Sequence, residues 1–262
     1  MFPLRDNIPT RRFPIVTVAI MVICIAVFFG FQEAHWDGGG FAVKDTRTVE
    51  YAYIPYEFTH MGKECAGVFE GERAVKLECQ GKGGFDSPVE DQPSVWLTIL
   101  FAMFMHGGLL HIAGNMLFLW IFGNNIEDSM GRVTFVAFYL LGGLAATLLQ
   151  TVVNPDSAVP NLGASGAIAA VLGGYALLYP RARVVTLIFI VFFVTVLELP
   201  ALLVLGAWFV LQLLDASAAS GGDVGGVAYF AHIGGFLFGL ATIKLFARNA
   251  KDDYVEPRLP VY

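Results

Sequence analysis

The segment Val133–Val153 contains no charged residue, and it is one of several such runs in the chain. A membrane-crossing helix needs about 20 mainly apolar residues to traverse ~30 Å of hydrocarbon. Further candidates are Phe13–Phe31, Leu109–Phe122, Gly163–Tyr179 and Val227–Phe246. A short apolar stretch, Trp96–Met105, leads into the Leu109 run. Between Val184 and Leu214 lies a longer apolar region, interrupted by Glu198 and Pro200. Only 15% of the residues are charged and 56% are hydrophobic, whereas a soluble domain carries about 25% charge. The expected class is an all-α polytopic membrane protein.

Positive residues set the expected orientation, because they favour the cytoplasmic side. They flank the runs at Arg5, Arg11 and Arg12, at Arg181 and Arg183, and at Lys244, Arg248 and Lys251. Phe13–Phe31 is long for a cleaved leader and no small-x-small site follows it, so it reads as an uncleaved anchor. With the N-terminus inside, four spans return the chain to the inner side at Arg181. The 184–214 region must then cross once for the C-terminal basic cluster also to lie inside. That gives six spans, with part of Val184–Leu199 re-entrant or interfacial; seven spans is the alternative. The expected layout is a cytoplasmic N-terminus (1–12), a first transmembrane helix (13–31), an extracytoplasmic polar loop (32–92), a membrane core (93–247) and a cytoplasmic tail (248–262). The expected location is a cell membrane, a bacterial inner or plasma membrane.

The net charge of -6 comes largely from residues 33–92, and no basic surface suited to nucleic acid is present. Cys24 lies in the first apolar run and reads as a small buried side chain. Cys65 and Cys79 share the polar loop. If that loop faces an oxidising compartment, they are placed to close it with a disulfide.

A strongly polar side chain inside a span is costly and is a functional hypothesis by default. His35 and His60 fall in the polar loop, whereas His106, His111 and His232 lie at or within apolar helices. His111 and Asn115 are one helical turn apart on a shared face. The lesser alternative is that Asn115 merely hydrogen-bonds a neighbouring helix. No metal site is expected: the spacing is not His-Glu-x-x-His, and no carboxylate or cysteine is near in sequence. No cofactor is expected either.

Gly163-Ala164-Ser165-Gly166 opens the fourth span. Its small residues suit close helix packing, and its serine suits a helix cap. The same glycines leave room for a substrate backbone beside Ser165. A serine at a helix N-terminus also sets its own N–H, and the positive end of the dipole, near a developing oxyanion. His232 shares a helix face with Gly235 and Gly239, which lets a neighbouring helix approach closely. Alone it reads as a satisfied core residue or a proton relay. Together the two supply what acyl transfer needs: a hydroxyl nucleophile and a neutral imidazole base. Asn115, His111 and the Ser165 N–H are candidate oxyanion donors. No intramembrane Asp completes a triad, so a dyad is implied.

Three motifs, His111-x-x-x-Asn115, Gly163-x-Ser165-Gly166 and Ala231-His232-x-x-Gly235-x-x-x-Gly239, resemble in order those of rhomboid intramembrane serine proteases. The resemblance covers about Met105 to Leu240. It implies a six-transmembrane-helix rhomboid-like bundle whose Ser–His dyad opens to water from the outer side. It makes Ser165 the nucleophile, His232 the base, and Asn115 and His111 oxyanion partners. His106 matches a further histidine often found before them, expected near the substrate with Gly163 and Gly166. Glu127-x-x-x-Gly131 matches a motif at the inner end of the second span, expected to be structural. The implied partners are the lipid bilayer and transmembrane protein substrates with helix-destabilising residues and a small side chain before the cut. Two features depart from the pattern. Many relatives carry an aromatic residue four positions after the serine, stacking on the histidine; here it is Ala169. Many carry a Trp-Arg pair before the second span; here only Trp96-Leu97-Thr98 stands there. Competing classes are a non-catalytic membrane-protein binder and a transporter using midplane His and Asn. The 214–226 segment, rich in Ala, Ser and Gly, is expected to be a mobile loop beside the last helix.

Overall fold

A computed structural model describes residues 2–36, 41–43, 45–70, 73–85, 92–190, 193–219 and 228–247. Strand β1 (Phe2–Asp6) leads to helix α1 (Ile15–Ala26), which continues through a wider π-turn, Val27–Phe31. The polar insert holds β2 (His35–Trp36), β3 (Phe41–Ala42), α2 (Asp45–Tyr51), α3 (Pro55–Thr59), β4 (Cys65–Glu70) and β5 (Arg73–Cys79). Then come α4 (Val95–Ala102), α5 (Leu109–Phe118), a second π-turn (Leu119–Gly123), α6 (Asn124–Met130) and α7 (Arg132–Val153). The chain ends with α8 (Ser165–Leu178), β6 (Arg183–Ile190), β7 (Phe193–Pro200), α9 (Ala201–Ala219) and α10 (Tyr229–Phe246).

Three helical stretches among the described residues are long and apolar enough to cross a membrane: Leu109–Met130, Arg132–Val153 and Tyr229–Phe246. Ile15–Phe31, Ser165–Leu178 and Ala201–Ala216 are shorter apolar helices. Every one coincides with a run legible in the sequence. The first of the long stretches reaches further than Leu109–Phe122 suggests, because the π-turn carries the helix past Gly123 to Met130.

The all-α expectation needs correction. The described strands form one three-stranded sheet, ordered β1-β6-β7, and two two-stranded hairpins. The apolar stretch from Val184 is a β-hairpin, registered from Arg183↔Pro200 to Ile190↔Phe193. Its β-branched and aromatic residues, Val184, Val185, Thr186, Ile188, Phe189, Ile190, Val194, Thr195 and Val196, favour a pleated strand over a helix. Pairing with β1 along Phe2↔Leu187 to Asp6↔Val184 closes one edge. Among the described residues of the Val184–Leu214 region, the hairpin is followed by the single helix α9 rather than preceded by a second one. Residues 214–219 belong to α9 rather than to a loop. The rest of the expected mobile segment, 220–226, and the expected tail, 248–262, lie outside the described residues.

Glu127 and Gly131 have structural work to do. The Glu127 carboxylate accepts the N–H groups of Val16 (3.1 Å) and Thr17 (2.8 Å) and the Thr17 hydroxyl (2.8 Å). These are first-turn donors of α1, which otherwise lack partners. Gly131, at φ 83°, makes the corner between α6 and α7 in a conformation that disfavours any residue with a Cβ. Asp6 accepts from Asn125 Nδ2 (2.7 Å) and the Tyr175 hydroxyl (2.6 Å), tying β1 to α6 and α8.

The centre of the bundle is α8 packed between α7 and α10, with Ala167, Ile168, Ala169, Ala170 and Val171 all buried. Small residues permit this. A Cβ at Gly235 would run into the carbonyl oxygen of Gly166, and one at Gly239 into that of Ala170. One at Gly173 would strike the carbonyl of Phe236. Backbone meets backbone along the α8–α10 seam, the close approach that such glycine faces provide in apolar surroundings.

Candidate active site

Ser165 is the first residue of α8, and the turn before it requires a glycine. Gly163 has φ 129°, a conformation that residues with a Cβ rarely adopt. Its N–H donates to the carbonyl of Ala102 at the end of α4 (2.8 Å), which pins the turn. The Ser165 N–H is therefore one of the orphan donors at a helix N-terminus, where the dipole favours negative charge.

His232 lies in the first turn of α10, across the seam. Gly235 against Gly166 brings α10 close to the start of α8, and the imidazole Nε2 meets Ser165 Oγ at 2.7 Å. Both residues are half-buried. The pair separated by sequence is joined by the glycine face on which they lie.

His111 completes a small enclosure. A Cβ at Gly163 would come within 2.8 Å of His111 Nε2, while Ser165 Oγ would be 3.5 Å from the same point. The imidazole of His111 and the hydroxyl of Ser165 thus border one space, kept open by the missing side chain. Gly107 N–H donates to His111 Nδ1 (3.4 Å), which leaves the ring proton on Nε2, facing that space. Asn115, a turn further along α5, is buried, and its Nδ2 has no hydrogen-bond partner among the described residues. A buried unpaired donor is costly, and this one is available to a ligand.

His106 lies beside His111. It is completely buried, and its ring packs edge-on to that of His111 at 5.2 Å. Its backbone is clamped by Gln32, whose Oε1 accepts the His106 N–H (2.8 Å) and whose Nε2 donates to the His106 carbonyl (3.0 Å). The His106 ring thus packs directly against His111.

Two residues on α9 went unnoticed in the sequence. Gln212 Oε1 lies 2.6 Å from His232 Nδ1, and the Trp208 ring lies 5.9 Å from the imidazole. They are a helical turn apart, so one face of α9 presents both. Trp208 also neighbours Phe236 at 6.2 Å, and Phe209 stacks on Phe236 at 4.5 Å. The aromatic neighbour missing at Ala169 is supplied from another helix. The available signal was a glutamine within the otherwise apolar run Leu202–Leu214, the same cost that singled out His232.

The polar insert grips the turn that precedes Ser165. Tyr53 and Asn161 exchange backbone hydrogen bonds (3.1 and 2.7 Å), and Tyr56 N–H donates to the carbonyl of Ser157 (3.0 Å). The Thr59 hydroxyl donates to the Pro155 carbonyl (2.7 Å), and Lys82 Nζ to that of Asp156 (2.6 Å). The insert has its own small core, in which Cys65 and Cys79 are joined by a disulfide and packed with Ile54 and Tyr56. Beside Ser165 is a cavity of about 40 Å³, lined among others by Met103, Gly163, Gly166 and Ala231.

Fold and site together define a multi-pass helical membrane protein with a hydrogen-bonded serine and histidine at the ends of adjacent helices. Residues 93–249 match the model of the Rhomboid domain, and the chain belongs to the rhomboid family. It is 30% identical over 150 residues to Rhomboid protein 1, mitochondrial, of Saccharomyces cerevisiae, covering 55% of this chain and 40% of that one. It is 33% identical over 146 residues to the Presenilin-associated rhomboid-like protein, mitochondrial, of Mus musculus, covering 54% and 36%. It is 27% identical over 170 residues to Rhomboid-like protein 11, chloroplastic, of Arabidopsis thaliana, covering 58% and 53%. The matched regions are thus about a third to a half of each relative's length. The relatives' names place them in mitochondria or chloroplasts, which lends no support to the expected bacterial inner or plasma membrane.

Proposed function

We propose that this chain is a serine endopeptidase that hydrolyses peptide bonds in or near transmembrane segments of other membrane proteins. The observation that carries the reading is the 2.7 Å contact between Ser165 Oγ and His232 Nε2. Ser165 attacks the scissile carbonyl carbon as its proton passes to Nε2. His232 then returns that proton to the leaving amine as the C–N bond breaks. Water hydrolyses the resulting ester by the same route. His111 Nε2–H, Asn115 Nδ2 and the Ser165 N–H receive the oxyanion. Gly163 and Gly166 leave space for the substrate backbone, and the adjoining cavity admits a small side chain. His106 acts through His111. No metal or cofactor enters the scheme.

The layout proposed is six spans with the N-terminus inside, the polar insert outside, and the β1-β6-β7 sheet at the inner face beside Arg181 and Arg183. In it, α8 has 14 residues and rises only about 21 Å at ~1.5 Å per residue. Against ~30 Å of hydrocarbon, its N-terminal Ser165 lies below the outer boundary, within reach of water from that side. A substrate helix satisfies its backbone internally and must unwind locally before its carbonyl reaches the serine.

The test uses purified protein reconstituted with a single-span substrate. Cleavage and labelling by a fluorophosphonate are expected in the parent and absent in Ser165→Ala and His232→Ala. Undiminished cleavage by Ser165→Ala would refute the mechanism.

A further inference from the structure

We infer that Gln212 is a positioning residue that holds His232 in the tautomer needed for serine activation, so that the working unit is Ser165–His232–Gln212 rather than a dyad. The inference rests on the serine-protease reading and extends it.

A neutral imidazole carries one N–H, and only an unprotonated Nε2 can accept the Ser165 proton. Which nitrogen holds the proton is decided by the partner of the other. Here Nδ1 faces Gln212 Oε1 at 2.6 Å. An amide oxygen only accepts, so Nδ1 is the protonated nitrogen and Nε2 presents its lone pair to Ser165 Oγ at 2.7 Å. When the serine proton arrives, the resulting imidazolium keeps the Nδ1–H···Oε1 bond, which is stronger to a charged donor. Gln212 therefore selects the productive state before the reaction and steadies the cation during it.

Two further observations converge on the same helix face. Ala169 offers no ring to restrict the imidazole, and its site is fully buried against the seam. Trp208, one turn before Gln212, sets its ring beside the imidazole, 5.9 Å away and tilted by 41°. The hydrogen bond sets the rotation of the imidazole about its χ angles, and the indole limits its tilt. The remainder of the segment, Leu202 to Leu214, is otherwise apolar, so a glutamine there is expensive unless its amide is satisfied.

The test compares Gln212→Met, which keeps length without an acceptor, with Gln212→Glu, which retains one, using the full chain in proteoliposomes. Gln212→Met is expected to lower kcat roughly 10- to 100-fold while KM changes by no more than about twofold. Gln212→Glu is expected to recover most of that loss. Nitrogen-15 NMR of His232 reads the tautomer without needing turnover: Nδ1–H alone in the parent and in Ser165→Ala, and a mixture in Gln212→Met. An unchanged kcat or an unchanged tautomer in Gln212→Met overturns the inference, as does equal impairment of both Gln212 variants. Cleavage that persists in Ser165→Ala instead removes the protease reading, and is recognisable because the tautomer result in that variant is obtained independently.

Discussion

The α8–α10 seam and the polar insert both fix Ser165, and they do so by opposite means. Along the seam, side chains have been removed until two backbones touch, with Gly166 facing Gly235 and Ala170 facing Gly239. At these two positions the opposing atoms are backbone, which cannot swing aside as a side chain can. The insert holds the turn ahead of Ser165 with hydrogen bonds, a disulfide and a buried carboxyl, Glu57. Steric contact sets the distance between the serine and histidine helices. Polar contact steadies a loop, and can be weakened by degrees.

The largest effect tests the seam. In Gly239→Ala, the new methyl would occupy the position of the Ala170 carbonyl oxygen, so the helices must part. Overpacking of this kind costs up to about 3 kcal/mol or more, and separation also breaks the Ser165–His232 contact. Loss of cleavage with a lowered unfolding midpoint is expected. Gly206→Ala on α9 is the comparison, since nothing lies within 4 Å of its added Cβ. That variant should keep the parent's unfolding free energy to within about 1 kcal/mol. Equal damage in the two would remove the distinction between seam and surface.

A smaller effect tests the insert. Burial pushes the Glu57 carboxyl up from 4.5 to about 7, against the lowering effect of the Cys65 N–H it accepts, and the charge of Glu64 adds to the rise. The sign follows from linkage. A carboxyl whose folded value is raised favours folding while both states are protonated, below about 4.5. That advantage is lost as pH rises toward about 7, because the unfolded chain ionises first. The insert should therefore lose on the order of 2 kcal/mol across that interval. Glu57→Gln, which can still accept the Cys65 N–H, should abolish the slope. Denaturant unfolding of parent and variant at each end of the interval checks this. A slope surviving in Glu57→Gln would place the pH sensitivity elsewhere.

How much of this was legible beforehand follows the same division. Ser165, His232, His111 and the glycine face of α10 stand out because a span tolerates few polar residues and repeated glycines have few uses. The helices follow from apolar length alone. The hairpin from Arg183 did not, because an apolar run that alternates weakly can satisfy its backbone in either way, and the decision came from pairing with the distant β1. Gln212 is a polar residue in an apolar run, but neither it nor Trp208 belongs to a motif that points to His232. Their meaning depends on α9 packing against α10, a tertiary fact. His106 matched a motif, but its burial and its contact with the His111 ring are tertiary facts that spacing does not report. The insert's grip on 154–161 arises largely from backbone carbonyls, which carry no sequence signal.

The smallest predicted effect probes the junction where the two regions meet. The Thr151 hydroxyl donates to the carbonyl of Thr147 (2.8 Å), so in the 2.7 Å contact with Tyr53 it is the tyrosine that donates. Tyr53→Phe removes that donor but leaves Thr151 its own bond, and the ring continues to pack on Ile99, Ala102 and Met103. The loss should be about 1 kcal/mol, the usual net value of one hydrogen bond. Because the backbone pairing of Tyr53 with Asn161 persists, the turn before Ser165 should keep its shape and cleavage should fall less than about tenfold. A fall as large as that of Gly239→Ala would mean that the insert, and not only the seam, sets the distance between Ser165 and His232.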